Sequence, residues 1–133
     1  MAAETQIRIA SDKDIVTARQ QGRAVAIQTG FSVSEATLIA TAISELARNI
    51  VSYARKGQIT LKIVNGLNRQ GVAVVATDDG PGIPDIRQAL RDGFSTSGSL
   101  GLGLPGVRRL MDEFEITSQP GRGTTVTVKK WRP

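Results

Sequence analysis

The run Val72-Ala73-Val74-Val75-Ala76-Thr77 is apolar at successive positions, so as a strand it presents hydrophobic side chains on both faces. A strand of that kind belongs in the interior of a sheet, which obliges the rest of the chain to supply neighbours on both sides. The segments available are Gln6-Ile7-Arg8-Ile9, an edge-type strand, Gln58 to Val64, and Phe114 to Ser118 with Thr124 to Lys130. The last two read as a hairpin around Pro120-Gly121-Arg122-Gly123. The polar stretch Asn65 to Gly71 joins the run Gln58 to Val64 to the run Val72 to Thr77.

Helical signals fall between these strands. Ser11 opens a helix whose first turn carries Asp12 and Asp14; it should run to about Gln28 and stop at Gly30. Ser32 with Glu35 three residues on is a capping box. Behind it Leu38, Ile39, Ala42, Ile43, Leu46, Ile50 and Ala54 recur at helical spacing, with Gly57 as the expected C-cap. A short helix is expected at Asp85 to Leu90, and another from Pro105 in its first turn to about Glu113. The order is β-α-α-β-β, glycine loop, α, β-β. We expect an α+β domain, a mixed but mostly antiparallel sheet with helices layered on one face. At 133 residues the chain fits one domain spanning residues 1–133, since two halves would each be too small for a good core. Only 4% of residues are aromatic, so the core must be aliphatic.

Composition removes several chemistries. The sequence holds no Cys and no His, which excludes thiol and imidazole catalysis, disulfides and a phosphohistidine carrier within this chain. Any base must be a carboxylate or a lysine. A net charge of +5 suits phosphate ligands and acidic partners, but there is no aromatic-interleaved basic stripe for nucleic acid. No signal-peptide core or membrane-length apolar run is present, so a soluble cytoplasmic protein with neither nucleic-acid nor membrane partners is expected.

Three clusters carry candidate chemistry. Glu45 and Asn49 in Glu-Leu-Ala-Arg-Asn lie four apart on the second helix and share a face. A carboxylate and an amide oxygen there can serve an attacking hydroxyl and a hydrated Mg²⁺ together. Asp78-Asp79-Gly80-Pro81-Gly82-Ile83 follows the buried strand directly; its first carboxylate can accept a hydrogen bond from an exocyclic amine, and its glycines permit close approach of a flat ring. Gly98 to Gly106, with Gly101-Leu102-Gly103-Leu104 at its centre, runs into a helix, so freed backbone N–H groups and the helix dipole can meet phosphate oxygens. Each has an ordinary reading too: a solvated helix face, a tight turn, a flexible loop.

Their order is more specific than any one of them. It resembles the GHKL ATPase superfamily of gyrase, Hsp90, MutL and histidine kinases, in its N, G1 and G2 boxes, from about Ile7 to Trp131. Within it, the segments 45–59, 78–86 and 92–114 and the ending Val-Lys-Lys-Trp are most similar to the small anti-sigma-factor-type serine/threonine kinases, in particular the switch kinases of the stressosome. The resemblance implies a Bergerat-type α/β sandwich and the cofactors ATP and Mg²⁺. It implies Glu45 as general base, Asn49 as the metal ligand, and Asp78 on the adenine amine. Gly80, Gly82 and Ile83 would line the ring, Gly101, Leu102, Gly103 and Leu104 would meet the phosphates, and Thr125 would support Asp78 through a water. Pro84 to Leu100 would be the lid. The implied substrate is a Ser or Thr of a STAS-domain partner, after which the released kinase activates a downstream phosphatase or other output. The alternative is an ATP-binding anti-sigma or sequestering module with little catalysis. The chain ends two residues after Trp131 and no acceptor-bearing helices precede the domain, so a gyrase-like transducer or a complete histidine kinase is not expected.

Overall fold

The computed structural model describes residues 4–83 and 103–133. Strand β1 (Glu4–Ile9) leads to helices α1 (Asp12–Thr29) and α2 (Val33–Asn49), and α2 continues as a π-helical turn over Ile50–Ala54. Strands β2 (Gly57–Gly66) and β3 (Arg69–Asp78) follow, then α3 (Gly103–Leu110), β4 (Glu113–Gln119) and β5 (Gly123–Trp131). The strands form one sheet in the order β1-β2-β3-β5-β4, with every described pairing antiparallel rather than mixed. The strand Val72 to Thr77 is the middle one, as its two apolar faces require, and β1 is at an edge.

One face of the sheet carries the core. Ile7 and Ile9, Ile59 and Leu61, Val72, Val74 and Ala76, and Val126 and Val128 are buried there against Ile39, Ile43 and Leu46 of α2 and Ala18 and Ala26 of α1. The opposite face contributes nothing to this cluster. Ala73 on that face is nevertheless buried, because a methyl group between flanking strands is hidden by its neighbours. The two helices pack closely at Gly22, where a Cβ would collide with the Ile43 side chain.

Both helix starts behave as their sequences direct. The Asp14 carboxylate accepts the N–H groups of Ala10 (2.8 Å) and Ser11 (3.1 Å). Ser32 Oγ accepts the Glu35 N–H at 3.1 Å, satisfying one of the orphan donors of the first turn. Helix α1 ends at Gly30 with φ 101, and Phe31 N donates to the Ala26 carbonyl at 3.0 Å.

Boundaries differ in three places. Gly57 is not the cap of α2: the helix widens into the π turn and is halted by Arg55 at φ 71, leaving Gly57 free to open β2. There, a Cβ would meet the Thr77 carbonyl, so the glycine permits close strand pairing. Strands β2 and β3 extend through most of the polar connection and turn on Leu67-Asn68, with Asn68 at φ 61. Helix α3 stops at Leu110 instead of Glu113, because Asp112 N donates to the Lys129 carbonyl (2.9 Å) and the following residues are captured as a strand. The short helix expected at 85–90 lies outside the described residues.

Candidate active site at the end of helix α2

The last turns of α2 are where charge enters the interior. Glu45 is 5% exposed, so it does not sit on a solvated helix face. A buried carboxylate needs partners, and both its oxygens have one. Arg48, one turn on, donates Nη1 to Oε1 at 2.6 Å, and Oε2 accepts the backbone N–H of Gly103 at 3.3 Å. Gly103 is the first residue of α3 and has φ 63. The positive end of a helix is thus aimed at the carboxylate. Asn49, also on this side of α2, is half-buried, and its amide makes no hydrogen bond to another described residue.

The π turn that follows carries Ala54 against the next motif. Asp78 closes β3, and its Oδ1 accepts the Gly80 N–H at 2.9 Å, folding the chain back. Gly80 then rests on the π turn: a Cβ there would stand 2.6 Å from that of Ala54. Gly82, at φ 81, fits against the carbonyl of Gln119, and Pro81 O accepts the Gly121 N–H at 2.8 Å. The glycines are therefore demanded by protein packing on both sides of the loop. The helix carrying Glu45 and Asn49, the loop carrying Asp78, Gly80, Gly82 and Ile83, and the start of α3 at Gly103 are brought together about the end of α2.

The sheet adds a row that the sequence reading missed. Strand register sets Gly57, Asp78, Thr124 and Ser118 side by side on the helix-facing side. Ser118 Oγ accepts the Ile83 N–H (2.7 Å), donates to the Gly123 carbonyl (3.2 Å) and meets Thr124 Oγ1 at 2.9 Å. Thr125 is not beside Asp78. It pairs with Thr77, and because side chains alternate across a pleated strand the residue opposite Asp78 is Thr124; Thr125 and Asp78 nevertheless line one hollow. Asp78 also lines a hollow of about 280 Å³ with Asp79, Ser118, Arg122 and Thr124, among others. Glu45 and Asn49 are not part of its wall.

Gly101 and Leu102 lie outside the described residues, as does the lid assigned to 84–100. Leu104 is buried in the core, so any role in binding falls to its backbone. Arg48 was legible as an opposite charge three residues from Glu45. Ser118 and Thr124 were not, because their proximity to Ile83 and Asp78 depends on strand register. Among the described residues no three acidic groups, or others able to ligate a metal, cluster together. None of the described helices is long and apolar enough to cross a membrane.

These three motifs agree with what the chain is similar to. A model for the histidine kinase-, DNA gyrase B- and HSP90-like ATPases matches residues 34–133. The serine/threonine-protein kinase RsbT of Bacillus subtilis (strain 168) is 53% identical over 131 residues, covering 98% of each chain. An anti-sigma F factor of Thermoanaerobacter sp. (strain X514) is 35% identical over 86% of this chain and 82% of its own. The fold resembles the mycobacterial sensor histidine kinase MprB, with a TM-score of 0.56 at 16% identity over 98% and 99% of the two chains. A chain of the SiaB–SiaC complex of Pseudomonas aeruginosa gives a TM-score of 0.54 at 14% identity, over 98% and 89%. The chain belongs to the histidine kinase-, DNA gyrase B- and HSP90-like ATPase family, and within it is an ATP-using protein serine/threonine kinase.

Proposed function

We propose that this kinase phosphorylates a Ser or Thr hydroxyl of a small STAS-domain protein, in the cytoplasm, as one step of a stressosome-like partner-switching circuit. Its release from the phosphorylated partner frees it to engage a downstream phosphatase or other output protein. The observation that carries this reading is the contact of Glu45 with the Gly103 amide, together with the packing of Gly80, in the Asp78–Ile83 loop, on Ala54 of the turn that continues the same helix.

The residues fit the roles that phosphoryl transfer requires, which are positioning and charge neutralisation more than covalent chemistry. Asp78 would receive the adenine amine, since Gly80 N occupies only Oδ1 and a carboxylate has further acceptor sites. Gly80, Gly82 and Ile83 would shape the ring's bed, held from behind by Ser118 and Thr124. The amides of Gly101 to Leu104 would face the phosphates. Asn49 offers one hard amide oxygen with no competing partner among the described residues, and Mg²⁺ asks little more of a protein when phosphates and water complete its shell. Bound ATP supplies the γ-phosphoryl group, and Mg²⁺ offsets its charge. Glu45 takes the proton released as the partner's hydroxyl oxygen bonds to phosphorus and ADP departs.

The test is direct. The protein is incubated with radiolabelled ATP, Mg²⁺ and a STAS-domain protein from the same genome, and the label is mapped by peptide. Label on a partner Ser or Thr supports the proposal. Transfer only to proteins without a STAS domain rejects the partner class, and ATP binding with no transfer to any protein favours the sequestering alternative.

A further inference from the structure

The contacts of Glu45 go further than naming it as a base. Its Oε1 is held by Arg48 and its Oε2 by the N–H of Gly103, the same turn whose amides are assigned to phosphate. We propose that Arg48 is a positioning residue for phosphotransfer: it anchors Oε1, so that Oε2 is the oxygen that accepts the hydroxyl proton once the Gly103 N–H turns to phosphate. The inference rests on the reading of Glu45 as the base.

Three features support it. The Arg48–Glu45 contact is short and one partner is buried, with side-chain exposures of 34% and 6%, so it is not a solvated surface pair of little consequence. The i,i+3 spacing on one helix sets the Arg48 and Glu45 side chains on neighbouring positions of one face, so their contact does not depend on a loop. Finally, each Glu45 oxygen accepts one hydrogen bond and keeps a further acceptor site, and the oxygen that gives up its donor becomes the better proton acceptor. The Gly103 contact, at 3.3 Å, is the weaker of the two, and its donor has an alternative use. Glu45 and the turn assigned to phosphate thus share one donor, and turning that donor to phosphate frees a lone pair on Oε2.

Two measurements test this. In nucleotide-free protein, NMR of the arginine side chains should show the Arg48 guanidinium protected from solvent exchange, and Glu45→Gln should abolish the protection. On adding the non-hydrolysable analogue AMP-PNP with Mg²⁺, the Gly103 amide should shift while the Arg48 signal stays protected. An Arg48 signal that exchanges freely in both states overturns the proposal, as does an Arg48 signal that AMP-PNP releases. In kinetics on a partner that accepts label, Arg48→Ala should lower kcat on the order of 10- to 100-fold, as a misplaced catalytic group does, with KM for ATP changed by no more than about twofold. Arg48→Lys should recover part of the loss. Arg48→Ala added to Glu45→Gln should cost nothing more, whereas a merely structural arginine would lower kcat and raise KM in that background also. If Glu45→Gln itself retains full transfer, the base assignment fails. If Glu45→Gln is inactive but Arg48→Ala is unimpaired or faster, only the positioning role fails. Retained AMP-PNP binding by Arg48→Ala confirms that the variant is folded.

Discussion

The two ends of helix α2 follow opposite rules. At its start Ser32 and Glu35 cap each other, Ile39 is fully buried, and Ile43 fills the space that Gly22 leaves open. At its end a carboxylate is buried beside an arginine, the hydrogen-bond ladder widens to a π turn, and Arg55 takes a positive φ that bulky residues avoid. The first half serves stability, and the second accepts local cost to place Glu45, Asn49 and Ala54 where other segments meet them. Changes in the first half should therefore alter stability and leave chemistry intact, changes to Glu45 in the second should do the reverse, and relieving the strain at Arg55 should raise stability.

The largest expected effect is on chemistry. Glu45→Ala should reduce phosphotransfer on the order of 10²- to 10⁴-fold, the usual contribution of a general base, with ATP affinity nearly unchanged by calorimetry. A parallel collapse of ATP affinity would erase the distinction between the two ends. Next is Ile43→Ala at the packed end. It removes a fully buried side chain and should cost about 2–5 kcal/mol of unfolding free energy in denaturant titration, without changing the rate of transfer in the protein that remains folded.

Asp78→Asn keeps an oxygen for Gly80 N but loses the charge and acceptor capacity assigned to adenine. ATP should bind roughly 10-fold more weakly, the loss of one charged hydrogen bond, while melting of the free protein stays put. Ser32→Ala should lower stability by about 1 kcal/mol through the lost cap, with turnover untouched. Smallest is Arg55→Gly, which relieves the positive φ and should raise stability by roughly 0.5 kcal/mol. A destabilised Arg55→Gly protein would show that the strain assigned to this end is illusory.

Much of this was legible because the relevant physics is local. Val72 to Thr77 could only be a central strand, Ser32 with Glu35 could only start a helix, and Gly30 was suited to end one. The errors have a common cause. Gly57 looked like a cap because Gly follows helices, but strand pairing with Asp78 claimed it. The end of α3 was overrun because Asp112 and Glu113 can extend a helix, yet hydrogen bonding to Lys129 draws them into the sheet. Strand register sets Thr124 rather than Thr125 opposite Asp78, and a single residue in a pleated strand is the difference between two faces.

Periodicity and capping residues determined the element order and the middle strand, and composition and short local motifs the aliphatic core and the three candidate clusters, since none of these needs contacts between distant segments. Only the tertiary structure decided that Thr124 and Ser118 stand in line with Asp78, that Gly80 rests on the π turn, and that Gly103 touches Glu45 across 58 residues of sequence. Those contacts are fixed by sheet register and by helix α3 docking on α2, and no local preference encodes them.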